Sequence, residues 1–243
     1  MDSLNNKSKR LITSTTFRIV EIVFVFVIGL SLVKLLTPYT ENNLVLKQAV
    51  IWGANVIMIF LVWLSLKLRG QKLSDFGVTF KRITLKEGLR TFLLSLLVFV
   101  LSVLGFVLGS IIMANITGIP ESADMSNYEY LRNNVFMLIL TLLGVYLVSS
   151  FGEEFIYRAF LISRISELVP TGKYGSILSV VISAIIFGLV HYEWGPMGIV
   201  QTGFMGLVLG FFYLKLKKKL WVLVLAHAYM DTILMVQMFL ADK

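Results

Sequence analysis

The apolar residues of this chain are gathered into blocks of about 18–25, the length that carries an α-helix across the ~30 Å of bilayer hydrocarbon. Read in order, the blocks predict spans near Phe17–Leu36, Gln48–Leu66, Leu89–Ala114, Asn134–Phe151 with a helical extension, Ser176–His191, Gly198–Leu216 and Leu220–Leu240. The expected fold class is all-α, a polytopic transmembrane bundle of about seven to eight helices. Composition agrees. The chain is 57% apolar and 15% charged, with a mean hydropathy of +0.85, well beyond the roughly 45–50% apolar content of soluble domains. This excludes a soluble enzyme, a nucleic-acid-binding domain and a disordered tail. The longest polar connections, Lys67 to Gly88 and Asn115 to Asn133, are too short to enclose a core of their own. Residues 1–243 are therefore expected to form one integral membrane domain.

Lys7, Lys9 and Arg10 precede the first block, as in a signal peptide, but that block is about 20 residues long and has no Ala-x-Ala-like cleavage site before Pro38. It reads as a retained first helix. With a cytoplasmic N-terminus, the inner segments collect most of the 22 basic residues. They are Lys7, Lys9, Arg10 and Arg18, then Lys67, Arg69, Lys72, Lys81, Arg82, Lys86 and Arg90. Arg158, Arg164 and Lys173 follow, and finally Lys215 and Lys217, Lys218 and Lys219. The outer side keeps Lys34, Lys47, Arg132 and Lys243, with the acidic stretch Glu121, Asp124 and Glu129. The formal charge of +8 is thus explained by the positive-inside bias of a multi-pass cell-membrane protein, and no nucleic-acid partner is needed.

Ionisable residues inside a span cost roughly 2.5–3.5 kcal/mol each even on the lenient insertion scale, so each needs a partner or a role. Glu153 and Glu154 follow a long apolar run and precede Tyr157 and Arg158. Glu154 and Arg158 are helical i,i+4 neighbours able to pair. Glu153, turned about 100° away, shares a face with Ser149 and Tyr157 and is the carboxylate left free for chemistry. His191 follows Phe187 by four residues, and His227 precedes Asp231 by four; these are the chain's two histidines. Other polar residues read as structural: Glu21 paired with Arg18 at i,i+3, and Trp194, Gly195 and Pro196 forming a turn. Gly105 and Gly109, with Gly203, Gly206 and Gly210, are expected to permit close helix contact.

Carboxylates and imidazoles inside a membrane suit water activation for peptide hydrolysis, a metal site or a proton relay. There is no His-Glu-x-x-His zinc motif, no Gly-x-Ser-Gly of a rhomboid-like serine enzyme and no Gly-x-Gly-Asp of a presenilin-like aspartyl enzyme. With no cysteine, a thiol nucleophile, disulfides and Cys-based zinc sites are excluded.

The ordered trio Glu153-Glu154-x-x-x-Arg158, Phe187-x-x-x-His191 and His227-x-x-x-Asp231 resembles the CPBP family, also called Abi, of CAAX proteases and bacteriocin-processing enzymes. The resemblance spans about residues 134–240. It implies an intramembrane endopeptidase, similar to the type II CAAX prenyl endopeptidases, in which Glu153 with His191 activates water while His227 and the residue at Asp231 stabilise the oxyanion. Glu154 and Arg158 would stiffen the helix bearing Glu153, with Phe187 and Tyr157 in support. It also implies a cavity open to the cytoplasmic side. Many relatives have Asn at the position of Asp231. An ionised Asp repels an oxyanion, so Asp231 must be protonated, orient His227 or bind a metal.

No cofactor is favoured; a divalent ion such as zinc on Glu153, His191, His227 and Asp231 is the alternative. The expected partners are a membrane-associated peptide or protein substrate and the lipid bilayer. The natural roles are peptide maturation or bacteriocin self-immunity. The rival readings are a non-catalytic immunity or regulatory partner protein and a proton-coupled transporter, although the chain has no obvious inverted repeat.

Overall fold

The computed structural model describes residues 14–40, 42–118 and 126–241. Lys7, Lys9, Arg10, Glu121, Asp124 and Lys243 lie outside the described residues. Each expected span corresponds to a helix: α1 Thr15–Leu36, α2 Leu44–Leu68, α3 Leu85–Thr117, α4 Val135–Ser166, α5 Lys173–Leu189, α6 Gly195–Lys215 and α7 Leu220–Leu240. Six of these are long and apolar enough to cross a membrane, and α5 is a shorter apolar helix. The described residues contain no strand. The protein is a multi-pass membrane protein.

The helices begin where side chains can satisfy orphan amides. Ser14 Oγ accepts from the Phe17 N–H (3.2 Å), Asn43 from Leu46 (3.0 Å) and Asn134 from Met137 (3.1 Å). Thr84 and Glu87 form a reciprocal capping box that starts α3 on the apolar side of the basic connection. Trp194, Gly195 and Pro196 form the expected turn, with Pro196 in the first turn of α6.

Small residues set the packing. A Cβ on Gly105 would lie 3.1 Å from the Phe204 carbonyl oxygen, and one on Gly109 would lie 3.0 Å from the Gln201 Cα, so α3 runs against α6 almost backbone to backbone. Gly206 opens the other face of α6 to Phe187 and Ala184 of α5. The glycines permit the close approach that the sequence predicts. Large apolar side chains on α1, α2 and α3 point outward, among them Val20, Phe24, Phe60 and Leu104, as expected where the solvent is lipid.

The main departure concerns α4. The span expected to end near Phe151 continues to Ser166, and it contains two stretches of wider π-type turn, Val145–Ser150 and Glu154–Ile162. From Glu154 to Ile165 every residue is buried. The second half of α4 is thus enclosed by the bundle, whereas its first half exposes Phe136, Ile139 and Leu147. The Glu153–Glu154 pair looked like the end of a span because charges usually mark one, but here protein covers it. Arg158 and Arg164 accordingly leave the inventory of loop charges: both are buried inside the protein and paired with carboxylates.

Glu21 also finds other partners than expected. Arg18 pairs with Glu167 (2.8 Å), while Glu21 takes Arg164 (2.9 Å) and Arg69 (3.3 Å) and accepts a hydrogen bond from Ser65. This network joins α1, α2 and α4. An i,i+3 pair would have used one helix only, and could not have compensated the two buried guanidinium groups that need the carboxylate.

Candidate active site

Three carboxylates surround the His227 imidazole where α4 meets α7. The Nδ1 nitrogen of His227 lies 2.9 Å from Glu154 Oε1, a hydrogen bond in which the imidazole donates to the carboxylate. Its Nε2 faces Glu153 Oε2 at 3.9 Å and Asp231 Oδ1 at 3.8 Å. Those two spacings exceed a direct hydrogen bond and fall in the range that a shared water bridges.

Glu154 is fully buried, and its Oε1 also meets Arg158 Nη1 at 3.1 Å, the i,i+4 pair expected from the sequence. The Arg158 guanidinium lies 4.1 Å from the Phe187 ring centroid, a cation–π contact between two buried groups. Glu153 and Asp231 retain 14% and 15% side-chain exposure, against 0% for Glu154. The two glutamates therefore separate by environment: Glu154 is locked into an ion pair and an imidazole bond, and Glu153 stays accessible.

Serines hold the accessible carboxylates. Ser149 Oγ donates to Glu153 Oε1 (3.1 Å), and Ser150 Oγ donates to Asp231 Oδ2 (2.7 Å). Ser149 was placed on the Glu153 face by helical periodicity. Nothing in the sequence singles out Ser150, since a serine in an apolar helix commonly returns its hydroxyl to the backbone carbonyl four residues earlier, as Ser110 does. Only the pairing of α4 with α7 reveals its partner.

His191 joins the cluster through Phe187. Its Nδ1 donates to the Phe187 carbonyl at 2.7 Å, which leaves Nε2 as the acceptor of the neutral ring. The Phe187 ring lies between the two imidazoles, with centroids 4.8 Å from His191 and 6.4 Å from His227. Tyr157 packs edge-on against it at 5.0 Å. Trp194, read as part of a turn, also packs on His191 at 5.1 Å. The structure thus gathers Glu153, Glu154 and Asp231 around His227 and attaches His191 through Phe187.

One end of the site is covered by the connection Ser126–Leu131, where burial and the neighbouring Tyr130, Asp231, Glu153 and Glu193 raise the Tyr128 phenol above its ordinary range. Lys47 ties the same region together, contacting Glu193 (3.3 Å) and Asn127 (3.2 Å). Among the described residues no group of three or more His, Asp and Glu side chains is placed to hold a metal ion. The quartet Glu153, His191, His227 and Asp231 is not gathered as such a group. A carboxylate separated from an imidazole by a water-sized interval has the groups that general acid–base hydrolysis uses.

No curated protein and no solved structure matches this chain. Residues 135–233, less than half of the chain, match the family model described as type II CAAX prenyl endopeptidase Rce1-like. The matched stretch runs from the first residue of α4 past Asp231 in α7, so the part of the chain that bears the site is similar to the type II CAAX prenyl endopeptidase Rce1-like family.

Proposed function

We propose that the protein is an intramembrane endopeptidase that hydrolyses a peptide bond in a hydrophobic or membrane-associated peptide, using water activated by Glu153. The observation that carries this reading is the differing fate of adjacent glutamates: Glu154 is consumed by His227 and Arg158, while Glu153 faces His227 Nε2 across a water-sized interval. Glu153 takes a proton from the water, and the oxygen attacks the scissile carbonyl carbon. His191, with Nε2 open, accepts from the same water and orients it. His227, doubly protonated so that Nδ1–H is held by Glu154 and Nε2–H faces the site, donates to the oxygen that becomes negative. The proton held by Glu153 then passes to the leaving amine as the C–N bond breaks. Asp231, fixed by Ser150, orients the outer edge of His227 and does not serve as an oxyanion donor. Arg158, Phe187 and Tyr157 hold the imidazoles and Glu154 in place.

On this reading no metal is required, the N-terminus lies in the cytoplasm of a cell-membrane protein, and the partners are the peptide substrate and the bilayer. The substrate class favoured is a leader peptide, pheromone precursor or bacteriocin, whose processing would serve peptide maturation or self-immunity. The test is mass-spectrometric detection of cleavage of hydrophobic leader and farnesylated peptides by the purified protein in detergent, with and without a chelator. Products that disappear in Glu153→Gln and persist with chelator are the expected result. Loss of products with chelator would move the chemistry to a metal, and identical products from wild type and Glu153→Gln would remove Glu153 from the mechanism.

A further inference from the structure

Beside the site, on the outer face of the α4–α7 junction, lies a cleft of about 520 Å³ that contains none of the cluster's carboxylates or imidazoles. It runs along α7 from Trp221 to Thr232, roughly 16 Å at 1.5 Å per residue. Its walls are apolar, with Phe151 and Leu147 of α4 facing Ala228 of α7, and Tyr146 and Thr232 bonded to one another (2.8 Å) at its far end. Leu147 is 69% exposed, so the cleft opens sideways toward lipid.

Its mouth is basic. The strap joining α2 to α3 crosses the α6–α7 turn, and Gly77 sits there at φ +86, where an added Cβ would overlap the Lys218 carbonyl. Trp221 Nε1 donates to the Thr79 carbonyl (2.9 Å), and Phe80 packs edge-on against Trp221 at 5.7 Å. Beyond that contact, Phe80, Ile83 and Leu85 are 79%, 61% and 91% exposed. Lys81, Arg82 and Lys86 are interleaved with them, and Lys217 and Lys219 lie across the turn. Lys81 lies 3.8 Å from the exposed Glu87, and Arg82, Lys86, Lys217 and Lys219 form no ion pair with any described residue. Exposed large apolar groups alternating with cations suit the headgroup layer, where apolar side chains sink and cations meet phosphate.

We propose that this cleft is a binding site for one anionic phospholipid, its acyl chain lying along α7 and its phosphate held by Lys81, Arg82, Lys86 and Lys219. Depth, apolar lining and charge at the mouth match the two halves of such a molecule, and the assignment does not depend on the peptidase reading.

The test mixes delipidated protein in detergent with equal amounts of palmitoyl-oleoyl phosphatidylglycerol and phosphatidylcholine, and native mass spectrometry reads the retained lipid. Wild type retains the anionic lipid at least about fivefold over the zwitterionic one. Lys81→Gln/Arg82→Gln/Lys86→Gln/Lys219→Gln brings that ratio to about one, and Ala228→Phe, which fills the cleft, lowers retention of both. The charge variant leaves helix packing untouched and so decides the matter even if Ala228→Phe fails to fold. Equal retention of the two lipids by wild type, or an undiminished preference in the charge variant, overturns the proposal. Displacement of bound lipid by a farnesylated peptide, with the peptide also excluded by Ala228→Phe, would make the cleft a substrate-chain site and overturn it as well.

Discussion

Single residues separate two kinds of buried charge in this bundle. Glu153 has one serine donor and partial access, so Glu153→Gln is expected to leave the thermal midpoint in detergent within a degree or two of wild type. Peptide cleavage should fall on the order of 10²- to 10⁴-fold, the usual worth of a general base. Glu154→Gln is expected to do the reverse to stability, because it removes the counter-charge of Arg158 and the acceptor of His227, both almost fully buried. Breaking one side of such a pair costs about 3–5 kcal/mol, visible as a clear fall in thermal midpoint; an unchanged midpoint would mean that the pair is not formed. Ser150→Ala should lower kcat with little effect on KM, since its bond to Asp231 positions a group and touches no substrate. A KM effect alone would count against that role. At this scale the sequence singles out both histidines, Glu153, Glu154 and Asp231 by their cost in lipid, and it misplaces Glu21 and Arg164, whose partners lie on other helices. Ser150 and Trp194 are cheap in a membrane and became visible only through contacts made across helices.

Helices were legible as blocks, and their interiors less so. Periodicity at 3.6 residues per turn put Ser149 and Glu153 together correctly, but the π-type turns on either side of Glu153 do not follow that period. Such wide turns commonly occur at functional positions. Nothing in the apolar run Val145–Ser150 distinguishes it from ordinary helix. The inner end of α4 was hidden for a different reason: a sequence shows charge but not its counter-charge. Glu21, Arg69, Arg164 and Glu167 come from α1, α2 and α4, and only their assembly shows why Arg164 can be fully buried. Glu21→Ala is expected to strand two guanidinium groups and cost about 3–5 kcal/mol, whereas Glu21→Gln/Arg164→Met should recover part of it by removing a charge from each side. Thermal unfolding of the three proteins in one detergent checks this, and an equal loss in both variants would show that the network does not act as a unit. The same network anchors the helix that carries Glu153, so Glu21→Ala should lower cleavage only near its own unfolding range.

For the whole molecule, topology can be argued from charge once the buried arginines are set aside. Without Arg158 and Arg164, the described connections still divide sharply. Lys72, Lys81, Arg82, Lys86, Lys217 and Lys219 are exposed at the end bearing the α2–α3 strap and the α6–α7 turn. Lys47 and Arg132 belong to the other end, where Lys47 is paired with Glu193 and Arg132 lies near Glu129 (3.7 Å). The positive-inside bias then assigns the strap to the cytoplasm and the Ser126–Leu131 and Tyr192–Trp194 connections to the outside. On that proposed orientation the end of the site beside Tyr128 and Trp194 faces outward, and peptide entry is expected from the cytoplasmic side. The absence of cysteine makes the arrangement easy to test, because any introduced thiol is unique. In intact cells, a membrane-impermeant maleimide should label Asn127→Cys and Tyr192→Cys and spare Arg82→Cys and Lys217→Cys; in inverted vesicles the pattern should reverse. Labelling of all four from one side would contradict the seven-span path. A pattern opposite in sign would keep the path and turn the molecule over, placing the peptide entrance, the basic strap and the apolar cleft beside it on the outer leaflet.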